Sequence, residues 1–147
     1  LIFSQWTSLL DRIEPALTRR ELAFTRLDGS TRDRGAVVDA FQSETGPPFL
    51  LISLRAGGTG LNLTSASYVV IYDPWWNPAV EAQAIDRTHR IGQTATVNAY
   101  KMISPGTVEE KIWDLQQRKA KTISDVLGED GFAKGLTTND LEYLFSD

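Results

Sequence analysis

The sequence predicts an α/β fold, a single parallel β-sheet with helices packed on both of its faces. Short, nearly continuous apolar segments alternate along the chain with amphipathic segments long enough to form helices. The apolar segments lack the polar–apolar alternation of a half-exposed sheet, so both faces of the sheet are expected to be covered. With 147 residues, 41% of them hydrophobic, the chain is long enough for one domain with one core.

Five segments are predicted to be strands, at residues 1–4, 24–27, 49–53, 68–72 and 96–103. Helix starts are predicted from two capping boxes, in which a Ser or Thr and an acidic residue three positions later satisfy free N–H groups of the first turn. Ser30 with Asp33 predicts one helix, and Thr107 with Glu110 predicts another. The apolar residues expected to form the buried stripes of these helices are Val37, Phe41, Val108, Ile112 and Leu115.

The C-terminal part of the chain is predicted to be a helical extension beyond the sheet. The sheet domain is expected to cover residues 1–105 and the extension residues 106–147. Residues 128–135 are polar and contain glycine, and residues 137–145 then predict a short capped helix that carries Leu141, Leu144 and Phe145.

Composition excludes several classes of protein. The absence of Cys excludes disulfides and thiolate metal sites, and the single His89 cannot form a zinc cluster by itself. No apolar run approaches the roughly 18 residues of a membrane span, so we expect no membrane partner. A net charge of -4 means that any contact with DNA has to be local. Because residues 1–4 already predict a buried strand, we expect the chain to be part of a longer, intracellular polypeptide.

Polar and glycine-rich segments follow four of the predicted strands, at residues 4–6, 28–31, 55–62 and 73–78. In a parallel sheet these segments meet at the carboxyl edge, where ligands bind in folds of this class. Three glycines within residues 57–60 would let backbone N–H groups approach a phosphate, although a tight turn explains them equally well. The Asp28-Gly29 pair is also typical of an ordinary turn.

Two further features of this edge suggest binding. Trp75 and Trp76 precede a helix that Asn77 caps and Pro78 begins, so one indole is expected to be exposed for a nucleic-acid groove or a partner protein, unless it packs at the rim. On that helix, residues spaced like Gln83, Arg87 and Arg90 fall within about 60° of one face. Solvation, or pairing with Glu81 or Asp86, is the alternative for the two arginines.

These segments together resemble the conserved motifs of the Swi/Snf-type ATPases of helicase superfamily two. QAIDRTHRIGQ at residues 83–93 resembles motif VI, and SLRAGGTGLNLT at residues 53–64 resembles motif V. The remaining matches, in family order, are LIFSQW at 1–6, LDGST at 27–31, DPWWNP at 73–78 and the VEEKI brace helix from Val108. The resemblance covers almost the whole chain and implies the second, C-terminal RecA-like lobe of a double-stranded DNA translocase of the chromatin-remodelling type.

The resemblance also implies roles for individual residues. Arg87 and Arg90 match the motif VI arginines that reach across the cleft to ATP, the second as an arginine finger, while His89 is expected to be structural. Supporting positions near the nucleotide are Gly60, Asn62 and Gln83. The positions that match contacts to the DNA backbone and minor groove are Ser30, Ser53, Arg55, Trp76 and Asn77, with Gly29 and Gly57 admitting phosphates to the main chain.

ATP and Mg²⁺ are expected to be held mainly by an N-terminal lobe of the same polypeptide. The sequence contains neither a G-x-x-x-x-G-K-[ST] phosphate loop nor an Asp-Glu box after a strand, so we expect negligible ATPase activity from this chain alone. Double-stranded DNA is the expected partner, and a DNA-bound protein target is a further candidate; the expected location is the nucleus in a eukaryote and the cytoplasm or nucleoid in a prokaryote. Two alternatives stay open: a protein-docking module of the same polypeptide, and an RNA helicase lobe.

Overall fold

The computed structural model describes residues 1–57, 60–75, 78–88, 92–123 and 137–145, with side chains up to residue 118 in the fourth range. The strands are β1 (Ile2–Ser4), β2 (Phe24–Leu27), β3 (Phe49–Ser53), β4 (Tyr68–Ile71) and β5 (Asn98–Lys101). The helices are α1 (Thr7–Thr18), α2 (Arg34–Gln42), α3 (Leu54–Gly57), α4 (Pro78–Asp86), α5 (Val108–Ile123) and α6 (Thr138–Phe145). None of the described helices is long and apolar enough to cross a membrane.

All five predicted strands are present and form one sheet in the order β2-β3-β1-β4-β5. Every neighbouring pair is parallel, and β1 lies at the centre, with Phe3 paired to Ile52 of β3 and to Ile71 of β4. Since the strands are parallel, the chain leaves each of them at the same edge of the sheet. This edge carries the candidate site.

Apolar clusters lie on both faces of the sheet, as the sequence predicts, although Tyr68 of β4 and Tyr100 of β5 are exposed. Successive residues of a strand point to opposite faces: Leu50 and Ile52 belong to the larger core cluster, whereas Leu51 packs with Leu10 and Leu17 of α1. Val38 and Phe41 of α2, and Ala84 of α4, complete the larger cluster. The predicted α/β fold with helices on both faces is therefore confirmed.

The helix starts differ from the predictions in detail. Helix α2 is capped by Asp33, whose carboxylate accepts from the Ala36 N–H at 2.9 Å. Ser30 is not the cap, because its hydroxyl donates to Asp28 instead. Consequently the buried residues of α2 are Val38 and Phe41, and Val37 is only partly buried.

Helix α5 begins as predicted. Thr107 Oγ1 accepts from the Glu109 N–H at 3.3 Å, and the Glu110 carboxylate accepts from the Gly106 N–H at 2.8 Å. Compared with the predicted capping box, each of the two hydrogen bonds comes from the N–H one residue earlier. Of its predicted buried stripe, Ile112 and Leu115 are buried, whereas Val108 in the first turn is exposed and does not belong to their cluster.

Helix α6 forms a small second cluster with α5, which confirms a helical extension. Ile112, Leu115 and Leu144 are buried together, and Tyr143 donates its hydroxyl to Asp114 at 3.2 Å. Leu141 and Phe145 are exposed. The polar, glycine-containing residues 128–135 lie outside the described part of the chain.

A cluster of ion pairs joins α1 to the turn that follows β2. Arg26 Nη1 donates to Asp11 at 2.5 Å and to Glu14 at 2.8 Å, and its Nε donates to Asp28 at 2.7 Å. The Asp28 carboxylate also accepts from the hydroxyl and the N–H of Ser30. Hydrogen bonds from the Ser30 hydroxyl, with further help from the Ser30 N–H and from Arg26, lower the pKa of Asp28.

We predict that Gly57→Ala destabilises the lobe, because a Cβ at this position would lie 2.7 Å from Cε1 of the fully buried Phe3 ring. The clash should outweigh the helix preference of alanine and lower the free energy of unfolding by about 1–2 kcal/mol in urea denaturation. Gly29→Ala is the matched control, since a Cβ there would meet nothing within 4 Å. Equal effects of the two substitutions would contradict this packing argument.

We also predict that Asp28→Asn destabilises the lobe at pH 7 by about 1–3 kcal/mol, the scale of hydrogen bonds to a charged group. Because the folded-state pKa of Asp28 lies below its unfolded value, its contribution is complete above that unfolded value and disappears as the pH falls through the folded pKa. The difference in unfolding free energy between wild type and Asp28→Asn should therefore shrink below about pH 4. The substitution Asp39→Asn, at an exposed position on α2, is the control.

Candidate nucleotide and DNA interface

The segments predicted to carry function meet at the carboxyl edge of the sheet. The strand order places the turn after β2 at one end, α3 after β3 next to it, residues 5–6 after β1 in the centre, and residues 72–75 after β4 beyond them. The ends of β1 and β4 are joined directly, because the Gln5 N–H donates to Asp73 Oδ2 at 3.0 Å. Asp73 is only 5% exposed, and this burial raises the pKa of its carboxyl.

Asp28 organises the turn after β2. Its N–H donates to Thr31 Oγ1 at 3.0 Å, and its carbonyl accepts from the Thr31 N–H at 3.2 Å. Ser30 donates both its N–H, at 2.8 Å, and its hydroxyl, at 2.6 Å, to one oxygen of Asp28. Gly29 is exposed at the tip. A phosphate can therefore approach Gly29 freely, whereas Ser30 must exchange a hydrogen bond to donate to one.

The residues after β3 form a single helical turn, α3, where a glycine-rich loop is predicted. Ser53 caps this turn, since its Oγ accepts from the Ala56 N–H at 3.3 Å, and it is buried. Gly57 is also buried, directly against the Phe3 ring. Arg55 is exposed. Of the three residues in this segment that the resemblance assigns to DNA, only Arg55 presents its side chain to solvent.

The loop after α3 is tied to the end of α4. Gly60 adopts a φ of +60, in the left-handed region that favours glycine, and both Gly60 and Asn62 are exposed. One residue further, the Leu63 N–H donates to the Arg87 carbonyl at 3.0 Å. The two segments that resemble motifs V and VI are thereby joined through their main chains.

Gln93 strengthens the same junction and was not singled out from the sequence. Its Nε2 donates to the carbonyls of Thr64 and Ala66, each at 2.9 Å, and its Oε1 accepts from the Ala95 N–H. The last residue of the motif VI match is therefore a connector within the lobe. A glutamine at the end of a helical motif gives no pattern from which such a role can be predicted.

Helix α4 begins at Pro78 as predicted but ends at Asp86, before the arginines. The Arg87 N–H bonds to the Ala84 carbonyl three residues back, at 3.3 Å, so the chain tightens and the helical periodicity ceases. Gln83 is exposed, whereas Arg87 is only 7% exposed, so of these two predicted polar residues only Gln83 lies at the surface. The resemblance implies a guanidinium that reaches across a cleft, whereas Arg87 is buried in this lobe. Arg90 and His89 lie outside the described residues.

Glu81, which the sequence offers as a partner for the arginines, is engaged elsewhere. It is 2% exposed, pairs with Lys101 of β5 through Oε2, and accepts from the Trp75 N–H through Oε1 at 2.6 Å. The Trp75 carbonyl accepts from Gln116 Nε2 of α5, also at 2.6 Å. Trp75 is partly buried against the main core, and Trp76 and Asn77 lie outside the described residues.

Trp6 is an exposed aromatic residue at this edge that sequence reasoning passed over. It follows β1 directly and is 59% exposed. Its position immediately after the predicted strand at residues 1–4 was the available signal, since ligands gather outside the carboxyl ends of the strands in this class of fold. Together with Arg55 and Gly29, it gives the edge an exposed aromatic side chain, a guanidinium and an accessible backbone.

The carboxylates at this edge are engaged within the lobe. Asp28 is paired with Arg26, Asp73 accepts from the Gln5 N–H, and Glu81 is paired with Lys101. Within the described residues, no three His, Cys, Asp or Glu side chains come together as a metal site would require. The arrangement is thus suited to holding phosphates through exposed donors, despite the net charge of -4 of the whole chain.

Comparison with known proteins agrees with the fold and the motifs. Residues 1–92 match the helicase conserved C-terminal domain family. The chain is 53% identical over 130 residues to the DNA repair protein RAD5 of Gibberella zeae, covering 87% of this chain and 11% of that protein. It is 43% identical over 152 residues to the helicase-like transcription factor CHR28 of Arabidopsis thaliana, covering 99% of this chain and 15% of that protein.

A solved structure is also similar. The crystal structure of the C-terminal part of the Fun30 ATPase domain superposes with a TM-score of 0.79 at 37% identity, covering 97% of this chain and 44% of that one. The chain therefore spans a small part of its curated relatives and less than half of this structure. By its family match, its relatives and its fold, the chain belongs to the helicase conserved C-terminal domain family and is a C-terminal RecA-like lobe of the Swi/Snf type.

Proposed function

We propose that this chain is the second motor lobe of an ATP-dependent double-stranded DNA translocase, which completes an ATP site and grips the DNA backbone. The observation that carries the proposal is the main-chain junction between the exposed loop at Gly60 to Asn62 and the turn at Arg87, formed by Leu63. This junction connects the two segments that resemble motifs V and VI. The proposed division is a sheet lobe over residues 1–105 and a brace over residues 106–147.

In the proposed mechanism, the motif VI segment supplies positive charge to an ATP held by the first lobe. ATP bound there provides the phosphoanhydride bond that is hydrolysed. A guanidinium suits this role because it is permanently charged and offers fixed donors to the equatorial oxygens of the transferring phosphoryl group. Arg90 is assigned as the arginine finger. Arg87 is assigned to the same site, and its buried guanidinium has to become exposed when the first lobe docks.

Gly60, Asn62 and Gln83 fit supporting roles beside the nucleotide. All three are exposed near the junction, and the positive φ of Gly60 turns the main chain at the tip of the loop. The sequence has no phosphate loop, so ATP and Mg²⁺ are proposed to reach this lobe only through its partner lobe, and the chain alone is proposed to lack turnover.

The carboxyl edge of the sheet is proposed to grip one strand of a duplex. Arg55 supplies a charge, and Gly29 and Ser30 supply main-chain and hydroxyl donors to phosphates. Trp76 and Asn77 are proposed to enter the minor groove next to Trp75. Ser53 and Gly57, both buried, support this surface from beneath by shaping α3 and are not proposed to touch phosphate in the open lobe. Relatives described as a DNA repair protein and a helicase-like transcription factor support DNA as the substrate.

We predict that Arg90→Ala in the two-lobed protein lowers the duplex-stimulated ATPase kcat by about 10³-fold or more, the scale of an arginine finger. Duplex affinity, measured by fluorescence anisotropy without ATP, should stay within about twofold because Arg90 is assigned to the nucleotide. Arg90→Lys should not restore turnover, since an ammonium lacks the planar fork of donors.

The matched control is Arg19→Ala, because Arg19 is exposed at the far end of α1, opposite the candidate site. We expect Arg19→Ala to keep the full duplex-stimulated ATPase activity and Arg90→Ala to lose it. A wild-type two-lobed protein that hydrolyses ATP without any dependence on duplex DNA, or a 147-residue chain with strong duplex-stimulated turnover by itself, would overturn the proposed function.

We further predict that Arg55→Gln weakens duplex binding about equally for unrelated DNA sequences. A phosphate contact adds affinity without base preference, and its loss should reduce the slope of log K against log salt by about 1. Binding is measured by anisotropy on two unrelated duplexes across a salt series. The exposed Arg12→Gln on α1 serves as the control, and a sequence-dependent loss in Arg55→Gln would contradict a backbone contact.

A further inference from the structure

Helix α5 contacts the tryptophan segment, residues 73–78, through a side chain that is almost fully buried. Gln116 is 3% exposed, and its Nε2 donates to the Trp75 carbonyl at 2.6 Å across 41 residues of sequence. A buried donor of this kind is costly to leave without an acceptor, so the contact favours one position of α5 relative to Trp75.

A second set of contacts, called the second route below, links the same helix to the main-chain N–H of Trp75. The Trp75 N–H donates to Glu81 Oε1 at 2.6 Å, and Glu81 Oε2 is paired with Lys101 Nζ. That ammonium lies 4.5 Å from the centroid of the Trp113 ring on α5. An indole face is the preferred aromatic partner of a cation, so Trp113 stabilises the position from which Lys101 neutralises the buried Glu81.

The two routes start from one face of α5, because Trp113 and Gln116 are three residues apart on a helix. Both the N–H and the carbonyl of Trp75 are therefore fixed by side chains that depend on α5: one directly, the other through Lys101 and Glu81. Glu81, at 2% exposure, cannot easily accept water in place of Lys101, since a buried carboxylate that loses its partner is strongly destabilised.

We propose that α5 is a positioning element for the tryptophan segment, with Gln116 as the main positioning residue and Lys101 as the second. The clamp fixes both main-chain polar groups of Trp75, the residue bonded directly to Trp76, so the position of α5 determines how well the lobe holds a duplex. This inference rests on the proposed function, because it takes Trp76 and Asn77 as DNA contacts. A displacement of α5 then changes DNA affinity without altering the residues assigned to ATP.

The clamp itself is tested on this chain by hydrogen exchange at the Trp75 amide. Gln116→Met keeps the length of the side chain and removes the donor; its matched control is Gln117→Met, one residue further on α5 and exposed. Exchange at Trp75 should accelerate about 5- to 10-fold in Gln116→Met, as expected for loss of one buried hydrogen bond, and stay unchanged in Gln117→Met. Equal exchange in both variants would overturn the clamp.

Substitutions at Lys101 test the clamp independently, and they also serve if Gln116→Met does not fold. Lys101→Met removes the partner of Glu81 and should also accelerate exchange at Trp75, whereas Lys101→Arg keeps a cation for both Glu81 and Trp113 and should restore protection. Acceleration in Lys101→Arg equal to that in Lys101→Met would show that the charge is not what holds the segment, and would overturn the second route.

The consequence for function is tested in the two-lobed protein. The duplex concentration for half-maximal ATPase stimulation should rise about 5- to 10-fold in Gln116→Met, while the KM for ATP and kcat at saturating duplex stay within about twofold. Gln117→Met should match wild type in all three. A fall in kcat with unchanged DNA dependence would overturn the positioning role. Absence of duplex stimulation in wild type would instead refute the proposed function, and the exchange result at Trp75 would still decide whether the clamp exists.

Discussion

Parallel pairing of β1 between β3 and β4 is the constraint on which the rest of this lobe depends. It brings four chain segments that are far apart in sequence to one edge of the sheet. Phe3 at the centre of β1 is fully buried, and Gly57 packs directly against its ring, so the chain after β3 can turn close to the sheet. A larger residue at either place would move the segment that carries Arg55 and the loop at Gly60.

The acidic composition of the chain and the proposed grip on DNA are compatible because the acidic groups at this edge are used internally. Asp28, Asp73 and Glu81 are each buried and each accepts at least one hydrogen bond or ion pair within the lobe. Their charges therefore hold turns and side chains in place, while Arg55 stays in solvent. The electrostatic potential at this interface therefore depends on which charged side chains are exposed there, and the net charge of the whole chain does not determine it.

The fold could be predicted almost completely from the sequence. A strand that is buried on both faces of a parallel sheet needs apolar side chains at successive positions, and such runs can be recognised directly. The five strands, the start of α4 at Pro78 and the start of α5 after Thr107 follow from such local signals. The site was less predictable. Helix α4 ends at Asp86, and beyond it Arg87 is buried whereas Gln83 is exposed; periodicity shows neither where a helix stops nor which of its polar residues tertiary packing covers. The burial of Ser53 depends on tertiary packing that no local pattern reveals.

The contacts of Gln116 show why long-range polar links escape sequence reasoning and still matter. A glutamine on an amphipathic helix is expected to face solvent. Gln116 is instead buried, and its side chain donates to a carbonyl 41 residues away in the sequence. Its neighbour Gln117 has the same chemistry and is exposed. The difference comes from the side of α5 that faces the tryptophan segment, where Lys101 and Trp113 also lie. Through Gln116 the helix contacts the carbonyl of Trp75 directly, and through Trp113 and Lys101 it supports the Glu81 carboxylate that accepts from the Trp75 N–H, so a displacement of α5 acts on both main-chain polar groups of this residue.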